Sequence, residues 1–331
     1  MTTHILVPLD GSPFGEQALP TALGLARRME ATIDLVLVQE PLVIPESIQL
    51  TLARDPRIRE ELRSAGVSYL EMIGGRLRRE TGVDAAETLL EGPVVETLAS
   101  YIAASGPRLV VMSTHGRGGI SRAWLGSVAD ALVRRVSAPV LLVRPSDGVV
   151  QWQGATRLDP GTGFTRIVVP LDGSPLAEEA LDEALDLAQG PGVELTLLQV
   201  LPPPVTYLRP TFTADISTEL LADMETDAER YLERIAARVL RPGLTVRTRV
   251  LVDANAARGI LAFAMSGSAD LIVMTTHARR GVARLVIGSV ADKVVRGSTV
   301  PVMLLRPRAM VRSDVIMDTI PESTMVAIPP G

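Results

Sequence analysis

The residues with the clearest chemical potential lie in a glycine-containing segment. The run 113–116 (Ser-Thr-His-Gly) is followed by nine residues and then by Gly126 and Ser127, which open a predicted helix. A helix N-terminus offers unpaired backbone N–H groups to an anion, and glycine lets the backbone approach a phosphate closely. Arg117 and Arg122 can add charge-assisted hydrogen bonds. The segment predicts an anion site, although Ser127 taken alone could equally be a simple helix cap.

A second candidate group is the aspartate that ends a short apolar run. The run 5–13 (Ile-Leu-Val-Pro-Leu-Asp-Gly-Ser-Pro) recurs almost unchanged at 167–175. Asp10 and Asp172 therefore occupy the same place in two copies. Asp-Gly is common turn chemistry, but its recurrence at the end of a predicted strand favours contact with a ligand.

The repeat extends further and defines the elements that must position these residues. Residues 109–145 match 271–307 at the same offset and without a gap. Strands are predicted at 5–9, 33–39, 85–90, 109–113 and 140–143, and helices from Ser12 onward and at 57–80, 94–104 and 127–136. Within the first of these, Ser12 is the predicted N-cap and Glu16 the partner of a capping box. Alternating strands and helices predict an α/β fold, a doubly wound five-stranded parallel sheet with helices on both faces, in each copy.

Composition excludes several classes of function. The net charge of −5 argues against a nucleic-acid footprint, and the absence of cysteine excludes disulfides and thiolate sites. Lys293 is the only lysine, so no Walker-type Gly-Lys-Ser/Thr loop exists. No apolar run approaches the roughly 20 residues of a membrane span. With three histidines in the chain, no metal site is predicted, and we expect no membrane partner and a cytoplasmic location.

These residues resemble the universal stress protein family. Gly116, the nine-residue spacer, Gly126 and Ser127 match its nucleotide motif, and the run 7–12 (Val-Pro-Leu-Asp-Gly-Ser) and the final strand 138–143 match as well. The resemblance covers both copies and omits only linker and tail. It implies two adenine-nucleotide α-hydrolase-like domains that bind ATP, with or without Mg²⁺.

The resemblance also implies which residues line each site. The aspartate after the first strand and the end of the second strand (Gln39-Glu40 and Gln199-Val200) would lie near the base, and the glycine-containing loop near ribose and phosphates. The implied cofactor-binding residues are Leu9, Asp10, Gln39, Glu40, Met112, Ser113, His115, Gly116, Arg117, Gly119, Gly126, Ser127 and Val128 in the first copy, and Asp172, Val200, Thr275, Gly288, Ser289 and Val290 in the second.

Departures from the family motif favour the first copy. The motif's first glycine is Ser113, and Thr275 in the second copy. The second glycine, Gly116, becomes Ala278, whose methyl group would crowd a site that needs a bare Cα. Gly288 and its serine survive, so the second site could hold an anion without holding ATP well. Glu40, at the end of the second predicted strand, is acidic where the second copy has Val200, which is another difference between the copies.

Three functions are weighed on this basis. The first is a regulatory nucleotide-binding protein of the stress response, with at most slow ATP hydrolysis, because no nucleophile–base pair or catalytic residue is evident. The second is a nucleotide-independent, dimerising interaction scaffold, and the third, ranked lowest, is a true enzyme.

The predicted organisation is a first domain at 1–146, a linker at 147–164, a second domain at 165–307 and an extension or mobile arm at 308–331. The resemblance suggests pairing of the last strands, 140–143 and 302–305, within one chain or in a homodimer. Besides an adenine nucleotide, such self-association is the only partner predicted.

Overall fold

The structure is a computed structural model that describes residues 3–40, 56–114, 125–144, 163–190, 192–204, 214–276, 287–307 and 325–327. The chain divides into unit 1, which comprises Met1–Gly163 and Ser313–Gly331, and unit 2, which comprises Phe164–Arg312. The predicted linker lies outside the described residues except for its last two positions. Its boundaries therefore stay a prediction.

Unit 1 alternates strands with helices. Its strands are β1 (His4–Leu9), β2 (Thr32–Gln39), β3 (Ala85–Glu91), β4 (Leu109–Ser113) and β5 (Val140–Val143), and its helices are α1 (Pro13–Glu16), α2 (Leu19–Met29), α3 (Pro56–Thr81), α4 (Val94–Ser105) and α5 (Ser127–Arg135). The five strands are parallel in the order β3-β2-β1-β4-β5. This order confirms the predicted doubly wound sheet.

Unit 2 repeats the arrangement. Its strands are β6 (Arg166–Pro170), β7 (Glu194–Leu201), β8 (Thr245–Val252), β9 (Leu271–Thr275) and β10 (Val302–Leu305), and its helices are α6 (Pro175–Glu178), α7 (Ala180–Leu187), α8 (Ala214–Val239), α9 (Ala256–Phe263) and α10 (Ser289–Gly297). The parallel order is β8-β7-β6-β9-β10. In both units the strand order reverses beside the first strand, between β1 and β4 and between β6 and β9.

The central strands are covered on both faces. Every residue of β4 and of β9 is buried, and successive side chains of a strand point to opposite faces. Both faces of the sheet must therefore pack against other elements, as expected for parallel strands with apolar sequences. No helix in the described part of the chain combines the length and the apolar character needed to cross a membrane.

The helix predicted from Ser12 onward is broken in two. The structure separates α1 from α2 at Gln17 and Ala18, and the equivalent break in unit 2 falls at Glu179. Pro20 lacks the N–H that would continue the first helix, but no proline follows Glu179. Proline alone therefore does not explain the break.

The C-terminal extension contributes a strand to unit 1. Met325–Ala327 form β11, which pairs antiparallel with β3 in the register Met325↔Leu90 and Ala327↔Thr88. The sequence predicts an extension or a mobile arm at 308–331 without specifying its structure. These three residues extend the sheet of unit 1 at its outer edge.

Candidate functional site

The turn after β1 holds Asp10 in place. Gly11 has a φ of 74°, a conformation that suits glycine, and the chain turns back on itself there. The backbone N–H and the hydroxyl of Ser12 both donate to Oδ1 of Asp10, at 2.9 and 2.6 Å. The Ser12 hydroxyl accepts from the N–H of Gly15 at 3.2 Å, which confirms the predicted N-cap. The carboxylate is thereby fixed at the carboxyl end of β1.

The predicted capping box is wrong. The backbone N–H of Ser12, which would have to donate to Glu16, donates to Asp10 instead. Glu16 accepts a hydrogen bond from the Tyr69 hydroxyl of α3 at 2.9 Å. Burial raises the pKa of the Glu16 carboxyl, and the Tyr69 hydrogen bond partly opposes that rise. Glu16 therefore ties α1 to α3 and does not cap α1.

The turn after β6 repeats this geometry with one difference. The N–H and hydroxyl of Ser174 donate to Oδ1 of Asp172 at 3.0 and 2.6 Å. However, Asp172 is exposed whereas Asp10 is half-buried. Position 15 is glycine, and a Cβ added there would lie 2.5 Å from Oδ1 of Asp10. Its counterpart is Ala177, so only unit 1 has space for the carboxylate in the inward position.

The second segment begins where β4 ends. Ser113 and Thr114 are buried, and the carbonyl of Thr114 accepts from the N–H of Gly126 at 2.8 Å. A Cβ on Gly126 would lie 3.0 Å from that carbonyl oxygen, so the close approach favours glycine. Gly126 is the N-cap of α5, and Ser127, exposed, is its first residue. The alternative that Ser127 is the helix cap is therefore wrong.

Unit 2 has the same arrangement at the end of β9. Thr275 is buried, Gly288 is the N-cap of α10, and the N–H of Asp292 makes the first intrahelical bond, to the Gly288 carbonyl. The N–H groups of Ser289 and Val290 lie ahead of that bond and have no acceptor within the helix. In both units a helix N-terminus therefore opens at the carboxyl edge of the sheet, beside the point where the strand order reverses.

A cavity of about 110 Å³ opens at this edge of unit 2. It brings together four of the residues predicted for the second site, Asp172, Val200, Thr275 and Val290. The full lining is Pro170, Leu171, Asp172, Ala177, Leu198, Val200, Ala256, Ile260, Met274, Thr275, Val290 and Ala291. The walls are largely apolar, and the carboxylate and the threonine are the polar side chains among them.

The strand register corrects the prediction of which residues at the end of the second strand line each site. Because Leu198 and Val200 line the cavity, Gln199, which lies between them, points to the other face of β7. The registers β1–β2 and β6–β7 align Val38 with Val200. Glu40 is therefore not the counterpart of Val200, and Gln39 projects from the face opposite Val38. Glu40 lies exposed just beyond the end of β2.

The remaining predicted residues of the first site divide into two groups. Leu9, Met112 and Val128 are described, and they occupy the positions that correspond to Leu171, Met274 and Val290 of the cavity lining. The loop residues lie outside the described part of the chain: His115, Gly116, Arg117 and Gly119.

Comparison with known proteins identifies the family. The model of the universal stress protein family matches residues 1–144 and again 163–306. The chain belongs to this family. It is 29% identical over 312 residues to a universal stress protein of Mycolicibacterium smegmatis, which covers 92% of this chain and 97% of the relative. It is 27% identical over 319 residues to the universal stress protein Rv1996 of Mycobacterium tuberculosis, with 91% and 94% covered.

Solved structures agree on the fold. A universal stress protein from Archaeoglobus fulgidus superposes with a TM-score of 0.62 at 21% identity, over 92% of this chain and 98% of that one. The shared fold therefore extends along nearly the whole length of these two chains.

Sequence reasoning missed one wall of the site. Ala256 and Ile260 come from α9, which follows β8, and their counterparts at the start of α4 are Val94 and Leu98. The signal was available, because every strand of a parallel sheet ends at the same edge, including the third. Gly15 was also missed, since a glycine inside a helical run does not by itself indicate contact with a carboxylate.

The described residues of the site supply carboxylates, hydroxyl groups and backbone N–H groups around an apolar cavity. Within the part of the chain that the structure describes, no three His, Asp or Glu side chains gather as metal ligands. This set of groups is suited to holding an uncharged ring beside an anionic group.

Proposed function

We propose that this universal stress protein is a regulatory protein of the stress response. It binds an adenine nucleotide, ATP together with Mg²⁺, at the carboxyl edge of the sheet in each unit. The first site binds more strongly than the second. The observation that carries the proposal is the cavity at the strand-order reversal of unit 2, with a carboxylate at one side and a helix N-terminus at another. Open parallel sheets bind ligands at this location.

The base would occupy the apolar part of the site. At about 110 Å³, the cavity is smaller than the roughly 300–1,000 Å³ of sites that enclose a whole small molecule. It can therefore hold only part of a nucleotide, and its apolar walls favour the ring. Asp172 lines the cavity, and Asp10 holds the equivalent place in unit 1. A carboxylate oxygen accepts hydrogen bonds, which suits the donor amino group of adenine or a ribose hydroxyl.

The phosphates would lie at the helix N-terminus. The first-turn N–H groups of α5 and the positive end of its dipole favour an anion. Ser127 is exposed at that point, and the backbone of Gly126 lies against the carbonyl of Thr114. These groups bind charge but supply no nucleophile or base, which supports binding with at most slow hydrolysis.

Two differences support the ranking of the sites. Gly116 is replaced by Ala278 in the second copy, which crowds a position where the family motif has glycine. Gly15 is replaced by Ala177, and Asp172 is exposed where Asp10 is half-buried. A half-buried carboxylate discriminates more strongly between hydrogen-bond donors, because its interactions are less screened by water.

The test is calorimetric titration of ATP and Mg²⁺ into the purified chain and two matched variants, Ser127→Glu and Ser289→Glu. Each variant places a carboxylate in the first turn of a helix, where it favours the helix but repels a phosphate. A like charge at about 4 Å costs up to about 4 kcal/mol near a protein surface, so we expect at least a tenfold loss of affinity. Ser127→Glu should remove the stronger site, and Ser289→Glu should leave it.

The result that refutes nucleotide binding is the absence of heat and of thermal stabilisation at millimolar ATP. The alternative, a nucleotide-independent dimerising scaffold, would then account better for the chain. An equal effect of the two variants would refute only the ranking of the sites.

We also propose self-association through the last strands, β5 and β10, within the chain or between two chains. All four residues of each strand are apolar and buried, which suits a strand that is not left at an open edge. Light scattering would distinguish one chain from two by mass. A cytoplasmic location, where adenine nucleotides are abundant, is part of the proposal and is tested by cell fractionation.

A further inference from the structure

The outer edge of β3 has an orientation that the strand register defines. The N–H of Ile33 donates to the carbonyl of Asp84, so Asp84 and every second residue after it face β2. The backbone groups of the intervening residues, Ala85, Glu87 and Leu89, therefore face away from β2. An edge of this kind is a template on which another strand can add.

The first part of this edge is covered by a side chain. Nη1 of Arg78, on α3, donates to the outward carbonyl of Ala85 at 2.6 Å. The same guanidinium lies 2.8 Å from Oε1 of Glu87. The Arg78 side chain thus satisfies the beginning of the edge and leaves the segment around Leu89 for another partner.

That partner is the C-terminal strand β11. Val326 lies directly opposite Leu89, and because the backbone of Leu89 faces outward, the two residues form a hydrogen-bonded antiparallel pair. Leu89 and Leu90 are 3% and 2% exposed. β11 is a short strand of three residues, and the stretch 306–324 joins it to β10. A strand this short makes few ladder hydrogen bonds.

Unit 2 shows the same edge without such a cover. β8 is the counterpart of β3, and among the described residues no strand pairs with its outer side. Val250 and Leu251, which correspond to Leu89 and Leu90, are both partly exposed. β8 also carries Arg247 and Arg249, and charged residues disfavour the addition of a further strand.

We propose that the outer edge of β3, from Thr88 to Leu90, is a strand-docking surface for an extended, uncharged segment of a partner protein, and that Met325–Ala327 act as its removable cover. Addition of a strand to a sheet edge is a recurring mode of peptide recognition. The uncharged chemistry of the partner follows from the resident segment, Met-Val-Ala, and the glutamates at 87 and 91 disfavour an acidic segment. A second β3, paired about Leu89, would place Glu87 opposite Glu91 and is disfavoured.

The cover competes because it belongs to the same chain. A tethered segment has an effective concentration on the order of millimolar, so a free peptide of equal intrinsic affinity cannot displace it at micromolar concentration. The surface therefore opens only to a partner that binds better than Met-Val-Ala, or after the C-terminal segment is removed or altered. This inference is independent of nucleotide binding.

The test uses the full chain with Val326→Pro, which lacks the N–H that pairs with Leu89, and Val326→Ala, which keeps it. The probe is a labelled synthetic peptide of residues 323–329 (Ser-Thr-Met-Val-Ala-Ile-Pro), followed by fluorescence anisotropy. We expect at least tenfold tighter binding to Val326→Pro than to the wild type or to Val326→Ala. A probe with proline at its central valine should not bind.

A second measurement does not depend on the peptide. In the wild type, the Leu89 amide should exchange with deuterium at least tenfold more slowly than in Val326→Pro, while exchange at the Val250 amide of β8 is unchanged. Equal exchange rates of the Leu89 amide in the wild type and in Val326→Pro would refute the proposal that Met325–Ala327 cover the edge. The docking-surface proposal would be refuted if the peptide failed to bind Val326→Pro. It would also be refuted if the peptide bound equally to the wild type, Val326→Ala and Val326→Pro.

Discussion

A buried carboxylate in unit 1 yields a sharp prediction for Tyr101→Phe. Asp34, on β2, is 5% exposed, and its two oxygens accept hydrogen bonds from Thr88 at 3.0 Å and from the Tyr101 hydroxyl at 2.8 Å. Burial raises the pKa of Asp34 and, with the neighbouring carboxylate, raises the pKa of Tyr101 to about 12. Removal of the Tyr101 hydroxyl leaves Oδ2 of Asp34 buried without that donor.

The expected cost follows from this geometry. A hydrogen bond to a charged group contributes about 1.5–3 kcal/mol, and the aromatic ring itself is retained in phenylalanine. We therefore expect unit 1 to lose about 2 kcal/mol of unfolding free energy, which corresponds to roughly 4–8 °C for a domain of this size. The pKa of Asp34 should rise further, because a hydrogen bond that stabilises its charged form is lost.

Native-state hydrogen exchange separates the two units in one experiment. The amides of β2 report on unit 1 and those of β7 on unit 2, where Thr196 and Phe263 replace Asp34 and Tyr101. The matched control is Phe263→Tyr, which adds a hydroxyl in unit 2, where Thr196 takes the place of the Asp34 carboxylate. An effect below about 0.5 kcal/mol on β2, or an equal loss on β7, would refute the reasoning.

Further predictions concern the same unit. In Gly15→Ala, the added Cβ displaces the Asp10 carboxylate, so ATP affinity at the first site should fall about fivefold, roughly 1 kcal/mol, whereas Ala177→Gly should leave that site unchanged in calorimetry. The pKa of Asp34 lies above its ordinary value of 3.8, so the folded state binds its proton more readily. Stability should therefore fall as pH rises from 3.8 through the raised pKa of the folded state. Asp34→Asn should reduce that slope in urea titrations, and the raised pKa of Glu16 contributes to the slope that remains. The exposed ion pair Arg135–Glu96 should show no measurable coupling in a double-mutant cycle, because solvent screens it.

Much of the fold could be predicted because it depends on local signals. Short apolar runs separated by helical periods define a parallel sheet, and the repeat at 5–13 and 167–175 fixes two copies of it. The strand at 33–39 was found within one residue at its start, and the turn after β1 was found with its cap. These features require no knowledge of which residues meet across the sheet.

The features that escaped prediction depend on partners distant in the sequence. β11 forms only because the backbone of Leu89 faces outward, and three residues of a tail carry no periodic signal of their own. Whether Val38 or Gln39 points toward the site depends on which face of β2 each side chain occupies. An error of one residue in the register assigns every side chain to the opposite face. Asp34 lay unnoticed in an apolar strand because its donors, Thr88 and Tyr101, are more than 50 positions away.

The two units differ more in their constraints than in their fold. Unit 1 places Asp10 in a half-buried position that Gly15 permits, buries the Asp34 carboxylate and covers the β3 edge with β11. Unit 2 has alanine, threonine and no described cover at the corresponding places. Each of these three features of unit 1 orders polar groups, and this ordering costs desolvation free energy or chain entropy. A fold that is maintained by packing alone does not require that cost. The asymmetry therefore supports the proposals that the first nucleotide site is the stronger and that the β3 edge receives a partner strand, and it does so without reference to the glycines at 116 and 118.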